Sequence, residues 1–183
     1  IERQRNESND ALVFGAERAS QDAFRAASEG DTTTAAESLL ASMNMVDARV
    51  ESGNLSPAQG ATIKRDMQRT AATETIRFGL KSTIENGGVA KAVDFIELAE
   101  DKPLKGFDVD EQDAVVKVLK ADLNQYLSLQ NIVETEQQES LTKLQEATNT
   151  DLFLGIMDGT VDVNDVVLAG KQKRISGSQL SSL

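Results

Sequence analysis

The stretch Gly53-Asn54-Leu55-Ser56-Pro57-Ala58-Gln59 decides the fold, because each residue in it has a task at a junction between helices. Gly53 suits the left-handed conformation that closes a helix, and Ser56 is a good N-cap for the next one. Pro57 fits the first helical position, where its missing N–H is no loss. Gln59 stands three residues after the cap and completes a capping box. One helix therefore ends near Gly53 and another begins at Pro57.

Upstream, Ala36, Leu39, Met43, Val46 and Val50 recur at helical spacing, opened by Thr32 to Thr34 and closed by Gly53. Before them, after the polar start Ile1 to Asp10, Leu12, Ala16, Ala19, Ala23 and Ala26 form a second stripe that Gly30 ends. Its small side chains let another helix approach closely. The short link between the two stripes predicts an antiparallel helical hairpin. Met43 and Met45 read as core fillers, since a flexible thioether fills irregular gaps.

Downstream, the third helix is expected from Pro57 to about Glu85, with Ile63, Met67, Ala71 and Phe78 on one face and Ile76, Leu80 and Ile84 on another. Asn86-Gly87-Gly88 breaks it. The flanking segments have a period near 3.6, so the break is a helix–helix turn and not a β-hairpin. A short fourth helix carries Val89, Val93 and Ile96, and Asp101 to Gly106 is a loop around Pro103. Asp108-Val109-Asp110-Glu111 then offers a second capping box and opens the longest pattern, from about Asp110 to Ala147. Its stripe is Val116, Leu119, Leu123, Tyr126, Val133, Leu141 and Leu144, with Gln130 and Gln137 in register. Such a helix spans roughly 55 Å, which predicts an elongated shape. The polar run Glu134 to Ser140 cannot all be buried, so it faces water or another chain.

The tail reads as a short helix from Leu152 to Met157, a junction at Gly159 to Asp165, a helix near Val166 to Gln172, and a last boundary before Leu180 to Leu183. The expected fold is all-α: an elongated array of helical hairpins with one long helix near residues 110–147. The expected divisions are a hairpin region over 1–107, the long helix over 108–149 and short C-terminal helices over 150–183. The chain starts at Ile1 instead of Met and stops within what looks like a helix start, so it is expected to continue into a longer polypeptide.

Composition narrows the chemistry. The 183 residues include 19 Lys+Arg and 30 Asp+Glu, for a net charge of -11, with no His and no Cys. Without Cys there is no disulfide framework, thiol nucleophile or thiolate metal site. Without His the commonest general base and metal ligand are missing. The acidic balance opposes direct charge pairing with nucleic acid. No apolar run is long enough to span a bilayer, so no transmembrane segment is expected. No cofactor is expected.

The helix junctions repeat one another. Gly53-x-Leu55-Ser56-x-x-Gln59 matches Gly159-x-Val161-Asp162-x-x-Asp165, and Ile175-Ser176-x-x-Gln179 repeats the latter half. Each is a stop, an apolar anchor and a capped start. The acidic turns after Asp108 and Asp158 fail as calcium loops. Their sixth residues are Asp113 and Val163 where Gly is needed, and their twelfth are Leu119 and Ala169 where Glu is needed. Glu139-Ser140 echoes the Glu-Ser of lytic transglycosylases but lies in a polar helical run with no Gly-rich cleft segment after it. No phosphate-binding glycine loop is present. The chain is not expected to be an enzyme.

The segment Glu51 to Gln59, and that from Asp101-Lys102-Pro103 through Gly106-Phe107-Asp108 into a long helix, resemble helical stretches of tailed-phage virion proteins. The family meant is that of large internal or ejection proteins and tail-associated proteins, and the likeness covers residues 36–125. The resemblance implies a virion structural or ejected protein that works through oligomeric helix packing. Its implied partners are further copies of itself and other virion proteins, and its implied location is the virion, otherwise the cytoplasm. Some members carry a peptidoglycan-cleaving domain elsewhere in the chain, and its motif is absent here. The competing reading is a cellular helical adaptor or regulator that binds a partner helix. On either reading the contact residues are Leu12, Ala16, Ala19 and Ala23 on the first stripe, with Leu119, Leu123, Tyr126, Val133, Leu141 and Leu144 on the long helix.

Overall fold

The computed structural model describes residues 2–181, with side chains described for 7–181. The chain is all-α: α1 (Glu2–Glu29), α2 (Thr32–Glu51), α3 (Pro57–Asp101), α4 (Val109–Asp158), α5 (Val163–Lys171) and α6 (Gly177–Leu180). Among the described residues there is no strand. Packing divides the chain into two compact units, 1–123 and 124–183, and the division falls inside α4. The expected boundaries lay near 107 and 149; the first turns of α4, with buried Val115, Val116, Leu119 and Leu123, belong to the first unit.

In the first unit α1 already begins at Glu2, so the polar start is helical. Glu, Arg and Gln are good helix formers, and polarity alone does not delay a helix. Gly30 (φ 80) stops α1, and the Asp31 carboxylate caps α2 by accepting the Thr34 backbone N–H at 3.0 Å. Asp31 thus does the capping expected of the Thr cluster. α2 packs antiparallel to α1: the Ser42 hydroxyl donates to the Ala16 carbonyl at 2.8 Å, and Arg49 Nε donates to Asn9 Oδ1 at 3.2 Å. The buried face of α2 is Ala35, Ser42 and Val46, whereas Ala36 is exposed. Val46 is common to this face and the expected stripe, Leu39, Met43 and Val50 are half-buried, and Ala35 and Ser42 are buried where Ala36 and Met43 were expected.

α3 starts as expected, with Ser56 Oγ and Gln59 Oε1 each accepting the other's backbone N–H. It buries Ala71, Leu80, Ile84, Ala92, Ile96 and Ala99. The anticipated break survives as one non-helical residue, Gly88 at φ 76, ψ -179, inside an otherwise continuous helix. Three ion pairs join α3 to the start of α4: Arg69 with Glu111, Arg77 with Asp122, and Lys120 with Glu100. Gln112 secures the intervening loop. Its amide donates to the carbonyls of Ala99, Glu100 and Lys102, at the C-terminal end of α3, and its oxygen accepts the Leu104 N–H.

In the second unit α4 runs on to Asp158, with no interruption between 147 and 152. Thr148, Asn149 and Thr150 are weak helix formers but carry no chain-breaking chemistry, and Thr148 is buried. The helix stops only at Gly159 (φ 78). Val166, Ala169 and Ile175 form the unit's small core, with Leu152 and Val161 against it. Of the expected helix start at Leu180 to Leu183, Leu180 closes α6 and residues 182–183 lie outside the described residues.

The three rhyming junctions are one structure built three times. Gly53, Gly159 and Lys173 all take positive φ, at 74, 78 and 56. The residue after each donates its N–H to a carbonyl five positions back: Asn54 to Arg49 at 2.9 Å, Thr160 to Gly155 at 2.8 Å and Arg174 to Ala169 at 2.9 Å. This is the hydrogen bond of a Schellman stop. A capping box follows in each case, at Ser56/Gln59, Asp162/Asp165 and Ser176/Gln179. Close packing across the first and last junctions is complementary. A methyl placed on Gly60 would lie 2.5 Å from Val50 Cγ2, and one on Gly170 would lie 3.1 Å from Leu180. The large residue precedes the turn in one and follows it in the other.

Candidate assembly surface

The expected contact residues fall into two groups. Ala16 and Ala23 are buried, Leu12 and Ala19 are half-buried, and the stripe packs within the first unit. Ser42 explains the close fit: its hydroxyl reaches the Ala16 carbonyl on α1, with Met67 Sδ 3.3 Å away on α3. Small residues on α1 therefore serve the chain's own packing. Leu119 and Leu123, in the first unit, are likewise buried. These four buried residues are internal contacts, since an outside partner cannot reach a side chain that the fold already covers.

The remaining members are different. Val133, Leu141 and Leu144 are exposed at 51%, 39% and 54%. Tyr126 is half-buried, and its hydroxyl accepts a hydrogen bond from the Gln130 amide at 2.8 Å. Leu129 and Ile132, which fall off the expected stripe, are also exposed. Every residue from 128 to 144 is exposed. An exposed helical run draws little stability from tertiary packing, and this one includes Asn131, Thr135 and Thr142, which favour helix weakly. Gln145 begins the return to packing, donating to the Lys173 carbonyl at 3.2 Å.

The electrostatic features are structural. Arg77 is held protonated well above the ordinary arginine range, chiefly by its hydrogen bonds to Asp122 and further by Glu74. The Asp31 carboxyl is lowered by hydrogen bonding to Thr34, and Asp158 is lowered by the Thr160 hydroxyl and then its backbone N–H. Each carboxylate satisfies donors at a helix end. Among the described residues no three acidic side chains group as metal ligands, and Glu139 lies on the exposed face of α4. No helix among the described residues is long and apolar enough to cross a membrane.

Comparison with known proteins returned no matching family, no similar curated protein and no similar solved structure.

Proposed function

We propose that this chain is a non-enzymatic structural component of a tailed-phage particle, an internal, ejected or tail-associated protein that acts through oligomeric helix packing. The observation that carries this reading is the exposed run of α4, residues 128–144, where Leu129, Ile132, Val133, Leu141 and Leu144 face solvent. Burying one such side chain against a neighbour is worth about 1.5–3 kcal/mol, so a few of them suffice to drive association. The virion setting rests on the resemblance of residues 51–59 and 101–108 to phage helical proteins. The non-enzymatic reading is supported by the lack of His and Cys and by charged side chains, Arg69 with Glu111 and Arg77 with Asp122, that are taken up in pairs between helices.

Two measurements test it. Sedimentation over a wide concentration range is expected to show self-association, and a monomer throughout would overturn the assembly reading. Mass spectrometry of purified particles from the source virus is expected to detect the chain. Its absence from the particle would overturn the virion reading alone.

A further inference from the structure

The exposed part of α4 has a symmetry of its own. Counting from Gln137, seam members fall four residues away at Val133 and Leu141, seven at Gln130 and Leu144, and eleven at Tyr126 and Thr148. At 3.6 residues per turn these positions share a stripe roughly 80° wide. The spacing is the same read in either direction. Thr148 is buried and Tyr126 half-buried within the chain, while the five members between them are exposed.

A stripe with this spacing is complementary to itself when two helices run in opposite directions. We propose that residues 129–144 of α4 pair antiparallel with a second copy of this chain, about a twofold axis at Gln137. Val133 of each copy then lies level with Leu141 of the other, and Gln130 with Leu144. Gln137 meets its own counterpart, which suits a side chain that is both donor and acceptor. Leu129 flanks the stripe beside Leu144 of the second copy and widens the apolar contact.

Charge selects this direction over the parallel one. By the same helical geometry Glu134 lies on one flank of the stripe, with Glu136 and Lys143 on the other. In the antiparallel pair Glu134 comes beside Gln138 of the second copy. Glu136 approaches its counterpart at the axis, with one Lys143 from each copy on that flank. Parallel chains in register instead set Glu134 of each beside Glu136 of the other, giving two like-charge contacts with no lysine between them. In a protein of net charge -11 such contacts are not offset by the rest of the surface.

The pairing rests on the assembly reading above and not on the virion setting. The chain contains no cysteine, so single substitutions introduce unique thiols. Under mild oxidation Gln137→Cys is expected to yield covalent dimer, because the residue faces its own counterpart within disulfide reach. Val133→Cys alone is expected to stay uncrosslinked, since its counterpart lies about 12 Å further along the axis. Mixing Val133→Cys with Leu141→Cys is expected to restore the covalent dimer. All three positions are exposed, and unchanged helical circular dichroism checks that the variants fold. Equal cross-linking of Val133→Cys and Gln137→Cys would mean parallel chains and overturn the proposal. Oligomers in sedimentation without cross-linking at Gln137→Cys would overturn it while leaving assembly through another face. A monomer at all concentrations would overturn both.

Discussion

Arg77 of α3 grips Asp122 of α4 through two side-by-side contacts, Nε to Oδ2 at 2.7 Å and Nη2 to Oδ1 at 3.0 Å. The same guanidinium reaches back to Glu74 Oε1 at 3.1 Å, so one cation ties two carboxylates on two helices. Paired geometry makes this stronger than an ordinary surface ion pair, while partial exposure of Arg77 screens it. Asp122→Asn is expected to lower stability by about 1 kcal/mol, seen as a lower urea midpoint. The loss should shrink in high salt, which separates the ionic part from any change in packing.

Lys173 occupies the position that Gly53 and Gly159 hold in the two matching junctions, yet it carries a side chain at φ 56. A left-handed conformation costs a non-glycine residue roughly 1–2 kcal/mol. Lys173→Gly is therefore expected to stabilise the second unit by about 1 kcal/mol, allowing for the extra freedom glycine gains when unfolded. Gly159→Ala should move stability the other way. Thermal melts of the two variants, in opposite directions from wild type, check the equivalence of the junctions.

Ser42 is fully buried, and its hydroxyl is bonded to the Ala16 carbonyl. Ser42→Ala is expected to cost about 1 kcal/mol through the lost hydrogen bond. Ser42→Leu should be far worse, because the small residues on α1 leave no room for a branched side chain. Denaturant unfolding of the pair distinguishes a polar contact from a steric limit.

The caps at Asp31 and Asp158 make stability depend on acid. Each carboxyl is lowered from an ordinary value of 3.8, so the folded state favours the ionised form. Their contribution is present above that value and is lost as pH falls through the lower folded-state value. Helicity followed down to strongly acidic pH should show this loss, and Asp31→Asn combined with Asp158→Asn should flatten the dependence.

Much of the fold is legible because its corners are local. Gly53, Ser56, Pro57 and Gln59 specify their junction by conformational preference and hydrogen bonding alone, and the structure shows each in that role. The place of Ser42 on the buried face of α2 was not legible, since Ser42 is polar and its burial depends on the Ala16 carbonyl of another helix. The end of α4 was misplaced because Thr148 to Thr150 weaken a helix without ending one, while Gly159 ends it. Gln112 carries no pattern at all, as a lone glutamine gathers three carbonyls only after α3 and α4 have met. For the contact residues, spacing marked which side chains share a stripe. It did not separate Ala16 and Leu119, covered by neighbouring helices, from Val133 and Leu144, which remain open.

The repeated junction bears on how quickly the chain organises itself. A Schellman bond and a capping box both close within a handful of residues, so each bend is encoded by nearest neighbours and requires little loop entropy. Proteins dominated by short-range contacts of this kind reach their native state in microseconds to milliseconds. A polypeptide emerging gradually, from a ribosome or through a narrow passage, can set each corner as its few residues appear, before distant partners arrive.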